Sequence, residues 1–374
     1  MENADPPRVR AWVDDYLDRV RSLPADSVAG AFDPPEPQDR TDPYDAFAET
    51  FIADAPLEGR LAGLNLAVKE NLAVGGISTT CGTDSFEWTP EVDAVAVERL
   101  RAAGGAIVGT TDMDPFGFGT SGELGARGPT ENPAVGGHVP GGSSAGSAAA
   151  VAGGDVDAAL GTDTAGSVRI PASFCGVVGY KPTYGMVPTE GVVPLSPSND
   201  HVGVIARDVT TAATVLEAIA GREATRPGSL TAPSRLSFVD DLDATPSGLR
   251  LGVPAEFMEA AAPAVEATVE SAVTTCGIEL DAEVGSVRFP EAEAAVDAND
   301  AGTVMEFAAL LKRGGLLGTG QPADLRAALR RANAHLDALP DRVRDLVETG
   351  RELLDRAPDA YGRTWDARRR TVRR

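Results

Sequence analysis

Lysine, histidine and cysteine are nearly absent from this chain. Of its 374 residues only Lys69, Lys181 and Lys312 are lysines, three are histidines and three are cysteines. Cys81, Cys175 and Cys276 match no zinc-ligand spacing, and their odd number does not suggest a disulfide framework. A reducing interior suits them. His138, His201 and His335 form no pair at metal-ligand spacing, and none belongs to a Gly-x-Ser-x-Gly elbow, so Ser-His-Asp hydrolases and histidine metal sites are not expected. No run of about eighteen apolar residues occurs, and the start MENADPPRVR has no basic-then-apolar pattern, so neither a membrane span nor a leader is expected. The expectation is a cytoplasmic protein with no cofactor and no metal.

Acidic side chains are abundant. Asp plus Glu number 56 against 33 Lys plus Arg, a net charge of −23, and nearly all of the cations are arginine. Such a surface stays hydrated where concentrated salt screens its self-repulsion, the pattern of proteins from extreme halophiles. It also argues against a nucleic-acid partner, because phosphate contacts need clustered cations. The one basic run, Arg368 to Arg370 with Arg373 and Arg374, suits the end of a solvated helix.

Residues 1–60 read as an arm: an amphipathic helix over Arg8 to Ser22, then the extended connector DPPEPQDRTDP. From Leu64 short β-type runs, LNLAVKE and AIVGTT (Ala106 to Thr111), alternate with helical stretches such as Ala94 to Ala103, the grammar of an α/β sheet. Nineteen of the 41 glycines fall between Arg101 and Tyr180, which marks that region as the builder of a site. Beyond Gly221 one more strand (LRLGVP) and helices over Pro263 to Thr275, Glu291 to Arg313, Ala323 to Leu336 and Arg342 to Arg356 are expected.

Three segments combine serine and lysine. In PLEGRLAGLNLAVKENLAVGGISTTCG, Lys69 ends an apolar strand-like run and can point inward. In PGGSSAGSAAAVAGG, glycines deliver Ser143 and Ser144 to the start of an alanine-rich helix, where backbone N–H groups gather. In LGTDTAGSVRIPASFCGVVGYKPTYGMVP, a strand enters the tight turn Thr164-Ala165-Gly166-Ser167 before the next helix, and consecutive N–H groups at such a corner can converge on an oxyanion. Taken singly, Ser143 or Ser144 would be a helix cap. Asp163 with Arg169 reads as an ion pair pinning the turn, Lys181 as a fixture of the turn before a proline, and Cys81 and Cys175 as buried.

Together these segments closely resemble the amidase signature family of serine hydrolases, in a Val-Lys-Glu-Asn strand end, a Gly-Gly-Ser-Ser-x-Gly loop and a Gly-Thr-Asp-x-Ala-Gly-Ser-x-Arg-x-Pro turn. The likeness is strong over Pro56 to Gly221 and continues weakly through LRLGVPAEF and VMEFAALLKRGG to Arg313. It implies an α/β amidase signature fold, a mixed central sheet surrounded by helices, with residues 61–374 as the signature domain, 61–221 as its core and 222–374 as a mostly helical remainder. It implies Ser167 as nucleophile, Ser143 with a cis peptide as proton relay, Lys69 as general base, and the N–H groups of Thr164, Ala165, Gly166 and Ser167 as the oxyanion hole. Ser144, Asp163 and Arg169 would support them. Gly117 and Phe118, in FGFGTSGE, would line the substrate entrance, with Phe118 either as its apolar surface or as a packed core ring.

Two departures from the family pattern bear on function. Ala165 stands where most members carry glycine, and a left-handed conformation there would cost about 1–2 kcal/mol. Members also continue for roughly a hundred residues more, through segments that complete the sheet and one wall of the acyl pocket. The C-terminal part of the sheet is therefore expected to be incomplete, with a second copy or a partner subunit supplying the wall. The leading expectation is an amidase that hydrolyses a small carboxamide through an acyl-enzyme. Two alternatives stand beside it, the glutaminase subunit of a tRNA-dependent amidotransferase and a truncated inactive remnant. The acidic surface and the shortened C-terminus weigh against the former.

Overall fold

The computed structural model describes residues 41–51, 58–221, 236–242, 248–315, 322–357 and 359–372. The helix expected over Arg8 to Ser22 and most of the connector lie outside them. In chain order the first elements are β1 (Phe47–Thr50), β2 (Asn65–Lys69), α1 (Val95–Ala102), β3 (Ala106–Thr111), α2 (Ala145–Gly153), β4 (Ala158–Asp163), α3 (Arg169–Phe174), β5 (Val178–Tyr180), β6 (His201–Ala206) and α4 (Val209–Ile219). The runs LNLAVKE and AIVGTT are thus strands, as their β-branched and apolar content predicts.

These six strands form one mixed sheet in the order β1-β3-β2-β4-β6-β5. β2 runs parallel to β3 and to β4, with Val68 opposite both Thr110 and Leu160. β1 joins β3, β6 joins β4 and β5 joins β6, each antiparallel. Side chains alternate across a strand, so the two faces of the sheet feed two cores. Leu66 and Val68 enter the larger one with Ile107, Leu160 and Val204, whereas Ala67 enters the other with Val108, Ala159, Ile205 and the alanines of α2.

From β2 the chain moves to β3 on one side, and from β4 it moves to β5 and β6 on the other. Connections that diverge from the carboxyl ends of adjacent parallel strands leave a crevice there, the usual place for a site in an open α/β sheet. Lys69 ends β2 at this crevice and Asp163 ends β4.

The second half comprises β7 (Arg250–Pro254), α5 (Ala255–Glu259), α6 (Pro263–Glu279), β8 (Glu283–Val287), α7 (Ala292–Arg313), α8 (Ala323–Ala334), α9 (Asp341–Arg356) and α10 (Ala360–Val372). Strand LRLGVP does not extend the main sheet. It pairs parallel with β8 in a separate two-stranded sheet, Leu251 opposite Val284. Around it Phe257, Val265, Ile278, Val284, Val287 and Val296 are exposed, and α6 buries no residue.

Helix α7 does the opposite at its C-terminal end, burying Val304, Met305, Phe307, Leu310 and Leu311. In α8, Leu325, Ala328, Leu329 and Ala332 recur at helical spacing and turn one apolar stripe inward. The indole N–H of Trp88 donates to Asp324 at 2.8 Å and ties α8 to the first half. Among the described residues no helix is long and apolar enough to cross a membrane.

Candidate active site

Lys69 is completely buried at the end of β2. Its Nζ lies 2.7 Å from Ser143 Oγ and 2.9 Å from Thr162 Oγ1, and Asn71 Nδ2 donates to the same Thr162 oxygen at 3.1 Å. Burial pushes the Lys69 ammonium down from 10.5 to about 7, against the upward pull of Asp114, Asp163, Asp200 and Cys81. A lysine so placed presents its lone pair at neutral pH, which an ordinary lysine does not.

The backbone after Lys69 is fixed by Glu70. Its carboxylate accepts hydrogen bonds from Thr80 N and Oγ1 and from Gly82 N, and pairs with Arg127, which also bridges to Asp112. Cys81 is buried beside this turn, where burial and Glu70 raise its thiol far above the ordinary value. It is therefore an inert thiol.

Ser143 follows a cis Gly142–Ser143 peptide bond. A Cβ on Gly142 would fall 2.1 Å from Asp114 Oδ2, so only glycine fits where the loop crosses that carboxylate. Asp114 in turn accepts from Gly122 N and Leu124 N, and its own N–H donates to the Ser143 carbonyl at 3.3 Å. Ser144 occupies the N-cap position of α2 but makes no side-chain cap bond. Its hydroxyl donates instead to the Thr162 carbonyl at the adjacent strand end, and its N–H donates to the Ser167 carbonyl at 3.2 Å.

The turn after β4 is held from inside by Asp163. This fully buried carboxylate accepts from Gly166 N at 2.9 Å and Val168 N at 3.2 Å, and from Arg169 through two bonds of 3.0 Å. Burial alone would raise Asp163, but the Arg169 bonds and charge and the two N–H groups outweigh it and hold the carboxyl below its usual range. The positive φ falls on Gly166, at 122°, and Ala165 is not in the left-handed region, so the penalty considered for alanine does not arise. The Gly166 N–H, expected in the oxyanion hole, is already committed to Asp163. The N–H groups of Thr164, Ala165 and Ser167, expected there as well, are not committed in this way. The Ser167 hydroxyl makes no hydrogen bond among the described residues, and the residue is 8% exposed.

Gly117 adjoins the site, since a Cβ there would lie 3.6 Å from Ser143 Oγ and 3.5 Å from Leu195 Cδ2. Phe118 is half-buried. It packs edge-on against Phe307 at 5.0 Å, because α7 brings that ring under the loop. Lys181 donates to the Pro182 carbonyl and lies 3.2 Å from His201 Nε2. Thr162 lies inside the Gly-Thr-Asp motif, although nothing in that motif gives it a role of its own, whereas Asp114, Asp200 and Glu306 carry no motif that singles them out. The last has one cue, a lone carboxylate in the apolar run VMEFAALL.

Lys69, buried at the end of β2, thus meets Ser143 directly, and Ser144 of the same loop meets Ser167 at the strand-to-helix corner. The Amidase family profile matches residues 32–374, and the chain belongs to that family, whose hydrolases act on C–N bonds. It is similar to the A subunit of the glutamyl-tRNA(Gln) amidotransferase of Natronomonas pharaonis, 46% identical over 258 residues, covering 68% of this chain and 60% of that protein. It thus spans about 60% of the length of the first curated relatives it matches. Its fold is similar to that of the A subunit of the Thermotoga maritima glutamyl-tRNA(Gln) amidotransferase, with a TM-score of 0.65, 33% identity, and coverage of 84% of this chain and 70% of that one. The peptide amidase of Stenotrophomonas maltophilia gives a TM-score of 0.67, 30% identity, and coverage of 82% and 64%.

Proposed function

We propose that this chain is the amide-cleaving subunit of a glutamyl-tRNA(Gln) amidotransferase, and that it breaks a carboxamide C–N bond through an acyl ester on Ser167. The contact of neutral-capable Lys69 with Ser143 carries the chemistry. Lys69 Nζ takes the Ser143 proton, Ser143 takes that of Ser167, and Ser167 Oγ attacks the amide carbon. The resulting oxyanion sits against the N–H groups of Thr164, Ala165 and Ser167, each such donor being worth about 2.7–4 kcal/mol of barrier. On collapse the C–N bond breaks, the proton returns through Ser143 to the leaving nitrogen, and water then cleaves the ester.

The sequence by itself favours a small-carboxamide amidase, whereas the curated relatives, at 42–46% identity, favour the amidotransferase reading. An amidotransferase has to release an amide nitrogen before passing it on, which is this reaction. With a net charge of −23 the chain is a poor surface for RNA, so the tRNA falls to a partner subunit. The exposed apolar side chains around β7 and β8 give that partner a face to cover. The likeness to peptide amidase supports a second reading, an amidase that works alone on a small carboxamide.

Intact mass after treatment with a serine-directed fluorophosphonate tests the chemistry. One adduct, absent from Ser167→Ala, is the expected result. A folded protein that takes none overturns it. Ammonia release from glutamine only with the partner subunits present selects the first reading, and release from other carboxamides without them selects the second.

A further inference from the structure

The loop Leu195–Asp200 stands between the oxyanion turn and the C-terminal helices. At one end Asp200 accepts from Thr164 Oγ1 at 2.6 Å, from Leu195 N at 2.9 Å and from Ser196 N at 3.0 Å. At the other, Glu306 of α7 accepts from Ser196 Oγ at 2.9 Å, Ser198 N at 3.1 Å, Ser198 Oγ at 2.5 Å and, from α10, Tyr361 Oη at 2.8 Å. Both oxygens of Glu306 are filled by two donors each, and its side chain is buried at 3% exposure. A carboxylate that collects four donors from two segments sets the position of both, because losing any one strands a buried polar group.

The next residue braces the opposite wall. Phe307 packs on Phe116 at 5.4 Å and on Phe118 at 5.0 Å, flanking Gly117, which faces Ser143. One turn of α7 therefore touches both sides of the crevice.

We propose that Glu306 is a positioning residue for the turn that holds the oxyanion, acting through Ser196, Ser198 and Asp200 on Thr164. This rests on the reading of Ser167 as nucleophile. Thr164 carries one of the N–H groups aimed at the oxyanion, and its side chain is anchored to nothing but Asp200 among the described residues. Moving the loop therefore moves the donor. Asp200 is buried and its carboxyl is raised to about 6, by burial first and by Glu306 among the lesser causes.

The test is a cycle of Glu306→Gln, Thr164→Val and the double variant, read by the fluorophosphonate reaction and by amide hydrogen exchange across residues 164–168. Glutamine keeps the shape but cannot accept at its nitrogen. Loss of one full oxyanion donor costs about 10²–10³ in rate, so misaligning one should slow the maximal labelling rate about tenfold and leave probe affinity unchanged. In the Thr164→Val background Glu306→Gln should cost no further rate, since the connection is already cut. Exchange at 164–168 should quicken in each single variant and no further in the double. Losses that multiply, or a Glu306→Gln protein with wild-type labelling and exchange, overturn the proposal. Tyr361→Phe, which removes one donor from the periphery, should give a loss of about two- to threefold and serves if Glu306→Gln does not fold. Should the wild type take no label, the hydrolase reading falls, while exchange still decides the role of Glu306.

Discussion

Replacing Lys69 by methionine should remove a stability gain that the wild-type protein makes as pH rises above neutrality. The unfolded chain holds the Lys69 proton up to 10.5, the folded chain only to about 7. That gap of about 3.5 units corresponds to about 5 kcal/mol of destabilisation wherever both states are protonated, at pH 7 and below. Above pH 7 the folded state releases the proton first, the unfolded state binds more protons, and stability rises by about 1.4 kcal/mol per pH unit. Between pH 7 and 9 the gain from this one group is about 2 kcal/mol. Methionine fills a similar volume but leaves the Ser143 and Thr162 hydroxyls without their nitrogen, an offset of about 1–3 kcal/mol that does not vary with pH. The diagnostic is therefore the slope of the difference. Urea unfolding of both proteins in concentrated salt should give a stability difference that is flat near pH 6 and climbs in favour of the wild type above 7. Parallel curves over the whole range would refute a depressed Lys69. Fluorophosphonate labelling should rise about tenfold per pH unit below 7 and level off above it, in step with the neutral amine.

Two further outcomes follow from packing and charge. Phe307 is fully buried between Phe116 and Phe118, so Phe307→Ala should cost about 3–5 kcal/mol in chemical denaturation, and a loss under about 1 kcal/mol would mean that α7 does not brace the crevice. With a net charge of −23, melting temperature should climb between about 0.15 M and about 1 M KCl, over which the Debye length falls from about 8 to about 3 Å. A flat melting curve across that range would disconnect the acidic composition from salt.

The elements legible in the sequence are those whose information is local. The strand ends at Lys69 and Asp163, the alanine-rich helix α2 and helices α6 to α9 lie within a few residues of their expected limits, because apolar periodicity and glycine placement act over single elements. Strands β6 and β8 are not legible in this way. HVGVIA pairs with β4 and β5, a placement set by tertiary contact, while EVGSV has no apolar alternation and leaves all five residues exposed. Ser144 stands in its expected place but with a different partner, since a cap position says nothing of the strand end lying opposite it.

The support of the turn that follows β4 is hidden for a different reason. Ser196 and Glu306 are 110 residues apart in sequence, and Thr164 and Asp200 are 36 apart, so each pair meets only after the sheet, the loop and α7 have assembled. A serine that is catalytic announces itself by the glycines that present it, whereas a carboxylate that holds the presenting turn in place needs no special backbone and looks like any buried acid. Its burial, though, demands compensation. Glu306 obtains four donors and Asp200 three distinct ones, and those donors lie on the turn before Ser167, on residues 195–198 and on α10. In a chain that carries its acidity on the surface, acids kept inside at this cost are the places where fold and site are joined, and the second half of the chain reaches the chemistry through them.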